Sequence, residues 1–218
     1  MAVPPIVVAT LQSAIIGAFS NLLAQVITTQ TSKTPLQISY PPILQFFLFA
    51  LLSTPPNFLW QEFLETTFPA YHISPTSAAV ASASASNEAE LDEEAKTGRL
   101  VEPKLNKGNT AIKTLLDQTL GAAVNTMLFS LFMHGIRMAM EGGGAGPWGE
   151  IRMERVDWGV VMGRARGEFW AILKAGWTFW PWVSLVNFCF LERVESRNLV
   201  GSLAGLGWGV YMSLFAGK

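Results

Sequence analysis

Residues 6–28 read IVVATLQSAIIGAFSNLLAQVIT, and no charged side chain occurs in the chain before Lys33. An α-helix rises 1.5 Å per residue, so about 20 apolar residues cross the ~30 Å hydrocarbon core of a bilayer. This stretch has that length. It lacks the basic leader of a secretory signal, and its apolar run is longer than such signals carry. No cleavage site is obvious, so it reads as a retained membrane helix.

Four more charge-free stretches follow, at Thr34–Gln61, Gln118–Ile136, Ala175–Leu191 and Asn198–Gly217. A charge at mid-bilayer costs ~2.5–3.5 kcal/mol on insertion scales, and these segments avoid that cost. The second span, near Ile43–Trp60, opens after Pro41-Pro42, which suits a helix start. Pro55-Pro56 then interrupt it, so the helix is expected either to kink and continue or to end partway. The fourth is short and lengthens if Lys174 snorkels to the interface. The expected fold is an all-α, polytopic membrane helix bundle with four to five transmembrane helices.

Composition points the same way. Of 218 residues half are hydrophobic and only 14% charged, against about 25% charged in a typical soluble domain. The mean hydropathy is +0.32. Fifteen basic and sixteen acidic residues give a net charge of -1, which argues against nucleic acid as a partner. One cysteine, Cys189, and two histidines leave no disulfide framework and no Cys/His metal cluster. Gly144-Ala145-Gly146-Pro147-Trp148-Gly149 matches a dinucleotide fingerprint literally. It follows a membrane span and no βαβ pattern surrounds it, so it reads as a turn. His134 and Arg137 share a helix face without a nucleophile or metal partner, and His134 reads as an interfacial residue. Cys189 reads as an inert small hydrophobe. No enzyme and no cofactor is expected.

Along the chain, residues 1–69 are expected to form an N-terminal pair of transmembrane helices and residues 111–218 a C-terminal membrane domain. Between them, residues 70–110 hold an Ala/Ser tract through Ser86, then Glu88, Glu90, Asp92, Glu93 and Glu94. Such sequence buries too little apolar area to offset ordering entropy, so a hydrophilic, disordered loop is expected. Glu141–Lys174 holds a glycine-rich turn and an Arg-rich segment with Trp158 and Trp170, which suits an amphipathic helix at headgroup level. On a five-span arrangement the basic residues divide seven against eight between the two sides, so they set no orientation.

Polar and small residues inside the spans mark helix contacts or a water-filled path. Asn21 and Gln25 lie on one stripe of the first span with Ala14 and Ala18. Gln118, Gly121, Ala122 and Asn125 form a stripe in the third, with Asp117 at its mouth. Trp177, Trp180, Ser184 and Asn187 share a face in the fourth. The polar members act either as interhelical hydrogen-bonding groups or as the lining of a conduit. Asp117 either lines a path or caps the third helix. Gly201, Gly205 and Gly209 make two overlapping G-x-x-x-G units, expected to pack helices tightly. Trp180 and Trp182 are expected in the interfacial anchoring belt. Membrane lipid, a second copy of the chain and a small solute are the partners these features admit.

The segment from Trp177 through Trp180, Pro181, Asn187 and Phe188 resembles a W-x-x-W-P-x-x-x-x-x-N-F signature. Arg197 and the run Trp208 to Ser213, with Tyr211 between, resemble the R and W-x-x-Y-x-S that close the same domain. This is the family of the 22-kDa peroxisomal membrane protein and the Mpv-type mitochondrial inner-membrane proteins. Asp117-Gln118 is similar to the D-Q that opens its third span. Asn21 stands where the first-span D-x-x-x-Q has aspartate, and Phe58 where P-x-x-H-x-W has histidine. The resemblance implies four transmembrane helices, residence in an organelle membrane and, for some members, channel-like passage of small solutes. Neither a cleaved mitochondrial presequence nor a C-terminal S-K-L is present, and the peroxisomal membrane is favoured over the mitochondrial inner membrane.

Overall fold

A computed structural model of the chain describes residues 3–33, 35–142 and 146–216. Gly144 and Ala145 of the expected turn, the C-terminal Gly217-Lys218 and the side chains of Met212 and Ser213 lie outside the described residues. Helix α1 spans Pro5–Ser32 and α2 spans Tyr40–Thr67. Pro55 and Pro56 sit inside α2, and the helix continues through them. Both prolines lack a backbone donor, and membrane helices tolerate this where neighbouring groups meet the freed carbonyls.

The Ala/Ser and acidic stretch has regular structure where a disordered loop was expected. Strand β1 (Tyr71–Pro75) pairs antiparallel with β2 (Val101–Leu105), Tyr71 opposite Leu105 and Pro75 opposite Val101. Helices α3 (Ser77–Ser84) and α4 (Glu88–Lys96) lie between the strands. Local capping explains this order. Thr76 Oγ1 accepts from Ala79 N–H at 3.1 Å, and Asn87 Oδ1 accepts from Glu90 N–H at 3.3 Å. Ala70 O accepts from Asn106 N–H at 2.8 Å and closes the arm on the bundle.

Helix α5 (Lys107–Leu116) runs through a π-helical turn at Asp117–Gly121 into α6 (Ala122–Met140). The third span is thus one helical rod of 34 residues, Lys107–Met140, about 51 Å long at helical rise. Asp117 lies within it and does not cap it. Helix α7 (Trp158–Gly176) and α8 (Trp180–Phe190) return along this rod, followed by α9 (Val194–Ala216). The eleven residues of α8 rise only about 16 Å, so the expected fourth span is not a single helix over Ala175–Leu191.

Paired contacts fix how these two elements run. Asp157 N–H donates to Met138 Sδ at 3.1 Å, His134 Nε2 lies 2.9 Å from Glu168 Oε1, and Trp177 Nε1 donates to Gln118 O at 2.8 Å. Ser184 Oγ then reaches Asp117 Oδ2 at 2.5 Å, and Lys113 Nζ stands 4.9 Å from the centre of the Phe188 ring. Residue numbers rise on one element as they fall on the other. Helices α7 and α8 therefore form a broken rod antiparallel to α5–α6, with the break beside the π turn. Helix α7 packs lengthwise on α6, through Val161, Ala165 and Leu173, instead of lying across the end of the bundle at headgroup level.

Helix α1 packs antiparallel to α2 and parallel to α9. Gly17 faces Phe46 O and Ala50 of α2, while Ser13 Oγ lies 2.7 Å from Ser202 Oγ, and Ser20 Oγ donates to Leu206 O at 3.3 Å. The segments that divide the sequence at 69 and 111 are thus interleaved in space. The glycine run on α9 does not present one common surface. A Cβ on Gly209 would meet Ser20 Oγ at 2.8 Å, one on Gly205 would meet Trp180 at 3.9 Å, and one on Gly201 would meet nothing within 4 Å.

The outside of the bundle is apolar. Phe19 on α1, Phe63 on α2, Leu115 and Val124 on the third rod, Phe190 on α8 and Leu203 on α9 are all exposed. Side chains of this size on several neighbouring helices form a surface suited to hydrocarbon. Three helices among the described residues, Pro5–Ser32, Tyr40–Thr67 and Lys107–Met140, are long and apolar enough to cross a membrane. The chain is an all-α helical membrane protein.

Candidate functional site

Where α2, α5, α8 and α9 meet at the arm end of the bundle, the interior is polar. The π turn brings Asp117 within reach of four side-chain donors. Its carboxylate accepts from Trp60 Nε1 at 3.3 Å, Gln61 Nε2 at 3.0 Å, Gln118 Nε2 at 3.1 Å and Ser184 Oγ at 2.5 Å. Ser184 Oγ also accepts from Gln118 Nε2 at 2.8 Å. Four neutral donors thus converge on one carboxylate. π turns inside α-helices are frequent at functional sites. Gly121 makes room for this arrangement, because a Cβ there would stand 2.8 Å from Trp60 Nε1.

One helical turn away lies an ionic cluster. Glu65 Oε2 accepts from Lys113 Nζ at 2.7 Å and lies 2.5 Å from Arg197 Nη1. Its other oxygen accepts from Ala70 N–H at 2.8 Å, which ties the arm to the cluster. Lys113 is 0% exposed and Arg197 2%. Both cations stand against the Phe188 ring, at 4.9 and 5.3 Å from its centre. Arg197 Nε donates to Leu191 O at 2.8 Å, and Asn187 Nδ2 donates to Arg197 O at 3.3 Å. Charges balance over the whole site, with Glu65 and Asp117 against Lys113 and Arg197. Glu65, one quarter exposed, serves as counter-charge to both cations and makes burial of Lys113 and Arg197 feasible.

Several expected site residues meet here: Asp117, Gln118, Ser184 and Asn187, with Phe188 and Arg197 of the signature. Others do not. Gln25 Nε2 donates to Asn21 Oδ1 at 2.8 Å and to Ser39 O at 2.8 Å, and Gln25 Oε1 accepts from Ser39 N–H at 2.7 Å. Asn21 and Gln25 therefore brace the α1–α2 connection at the opposite end. Asn125 is exposed on the outer surface. Trp180 is half-buried, with its ring beside Phe179 and Trp208. Trp182, 68% exposed, has the exposure an anchor needs. Trp208 also stacks on Phe179 and neighbours Tyr211, and this aromatic group joins α8 to α9.

Charge-free stretches, taken as the criterion for spans, pass over Glu65 and Lys113, since each lies just beyond one. The signal that finds them is helical spacing: Gln61 and Glu65 are four apart on α2, Lys113 and Asp117 four apart on the third rod. At the other end of α6, Ser130 and His134 both hydrogen-bond Glu168 of α7. His134 thus has a defined partner and joins two helices.

Comparison with known proteins matches residues 152–213 to the Mpv17 / PMP22 family. The chain is 41% identical over 51 residues to "PXMP2/4 family protein 3" of Dictyostelium discoideum, covering 23% of this chain and 27% of that protein. It is 24% identical over 113 residues to "Peroxisomal membrane protein PMP22" of Arabidopsis thaliana, 52% of this chain and 50% of that one. These matches span no more than half the length of either relative. No solved structure matches. The matched region holds α7, α8 and most of α9, and so Ser184, Asn187, Phe188 and Arg197 of the site. Through residues 152–213 the chain is similar to the Mpv17 / PMP22 family.

Proposed function

We propose that the protein is a multi-pass protein of an organelle membrane, the peroxisomal one favoured, that passes small solutes passively. The names of its relatives support the location, since one is called a peroxisomal membrane protein. The observation that supports passage is the polar seam running from Gln118 and Asp117 to Glu65 and Arg197, inside a bundle whose outer surface is apolar. Polar and ionisable groups within a membrane bundle are expensive and mark solute pathways. The chain contains no G-x-x-x-x-G-K-[ST] nucleotide loop, so passage runs down a gradient without nucleotide hydrolysis.

Reconstitution of the purified full chain into lipid vesicles tests this reading. Vesicles with protein should equilibrate a small solute faster than vesicles without it, and Asp117→Asn should change the rate. Silence of well-folded protein towards every small solute offered would sink the proposal.

A further inference from the structure

We infer that Arg137 of α6 and Arg164 of α7 together hold the headgroup phosphate of an anionic phospholipid, at the end of the bundle opposite the polar seam. The two helices meet where Ser130 and His134 both hydrogen-bond Glu168. Ser130, His134 and Arg137 follow at intervals of four and three residues, so they share one stripe of α6. Arg164 and Glu168, four apart, share one stripe of α7. Because those stripes touch at Glu168, both arginines lie along the same flank of the α6–α7 pair. Their heights also agree. From the contact, Arg137 is three residues and Arg164 four residues towards the 141–157 connection, about 4.5 and 6 Å of helical rise. Both are exposed. Among the described residues neither guanidinium has an ion pair or a hydrogen bond. Nearby carboxylates are engaged elsewhere. Glu168 turns to Ser130 and His134, Asp157 Oδ1 accepts from Gly159 and Val160 N–H at 2.9 and 3.1 Å, and Glu150 pairs with Arg152 at 2.7 Å.

Two cations at one height on one flank repel, and a phosphodiester relieves that repulsion while accepting hydrogen bonds from both guanidinium groups. Depth selects a lipid as its source. Arg137 is the first charged residue after the apolar run 118–136, so the pair stands where hydrocarbon gives way to headgroups. The Trp158 ring, 56% exposed, lies at the same level, since a Cβ on Gly135 would stand 3.5 Å from it. Tryptophan favours that boundary. Deeper along the Arg164 flank of α7 come Gly167 and Ala171, both exposed. A Cβ on Gly167 would meet nothing within 4 Å, and these small residues leave α7 open to an acyl chain on this flank. A zwitterionic headgroup carries its own cation beside the phosphate, where it competes with the arginines. An anionic headgroup does not, so phosphatidylglycerol is the suitable probe.

The experiment measures lipid retention by the purified full chain in detergent, using native mass spectrometry. Dioleoylphosphatidylglycerol and dioleoylphosphatidylcholine are offered at equal concentration. The wild type should hold phosphatidylglycerol about 25-fold more tightly, roughly fivefold for each arginine. Arg137→Gln and Arg164→Gln should each lose about fivefold of that preference, and the double variant all of it. Arg166→Gln removes the same charge from the other flank of α7 and should keep the preference. Thermal melting and gel filtration identify any variant that fails to fold, and the wild-type comparison of the two lipids needs no variant. Equal retention of both lipids by the wild type would overturn the lipid class. A preference surviving in the folded double variant would overturn the assignment to these arginines. An equal loss in Arg166→Gln would overturn the paired site in favour of diffuse surface charge.

Discussion

Asp117 and Glu65 differ in how their charges are met, and their variants should differ accordingly. Asp117 faces neutral donors only. Asparagine there offers one acceptor oxygen and turns an NH2 group towards the remaining donors. Asp117→Asn should therefore lower stability in detergent by about 1–3 kcal/mol, read as a fall in Tm. Glu65 faces two buried cations. Glu65→Gln leaves both without a counter-charge, and breaking a buried pair costs about 3–5 kcal/mol. Glu62→Gln, one turn away and exposed, should melt with the wild type; an equal loss in the two variants would contradict the ionic cluster. Of the polar site, Asp117, Gln118, Ser184 and Asn187 were legible as polar residues in apolar stretches. Asn21, Gln25 and Asn125 carry the same signal and lie elsewhere. Helical spacing assigns a residue to a stripe, but the neighbour facing that stripe comes from another part of the chain.

The elements repeat this division. Five apolar stretches are visible in the sequence, and α1, α2, the third rod and α9 correspond to four of them. The remaining one, the fourth along the chain at Ala175–Leu191, gains length from an Arg-bearing helix that no charge-free criterion admits. Helix α7 meets α6 through Val161, Ala165 and Leu173 and through Glu168, while its exposed face carries Arg164 and Arg166. The π turn and the break after Gly176 sit side by side, joined by Trp177 Nε1 on Gln118 O at 2.8 Å. Trp177→Phe removes that bond and should cost about 1 kcal/mol in thermal unfolding. Tight packing makes a sharper contrast along α9. Gly209→Ala places a methyl group 2.8 Å from Ser20 Oγ, and overpacking of this kind costs about 1–3 kcal/mol. Gly201→Ala meets nothing within 4 Å and should melt at or above the wild-type temperature. Equal melting of the two variants would refute the α1–α9 contact.

At the scale of the whole molecule, the antiparallel rods assign the connections to two ends. The arm of residues 71–105 joins α2 to α5 at one end, and residues 141–157 join α6 to α7 at the other. With Cys189→Ser as background, cysteines introduced as Glu90→Cys and Glu150→Cys should react with a membrane-impermeant maleimide from opposite sides of sealed vesicles. Labelling of both from the same side would contradict the rod arrangement. The polar seam then lies towards the arm side of the bilayer, tied to the arm by Glu65 Oε1 and Ala70 N–H at 2.8 Å.

The sequence by itself determined that this chain lives in a membrane as helices. Charge exclusion over 20-residue lengths is a local property, set by the cost of placing each ionic group in hydrocarbon. It also carried the family signature. Only the tertiary structure decided that Lys113, Glu65 and Arg197, which a linear reading places outside the charge-free stretches, form one ionic cluster. It likewise decided that the acidic stretch folds as an arm. The physical reason is that buried charges are allowed by partners, and those partners come from helices 48 and more residues apart along the chain.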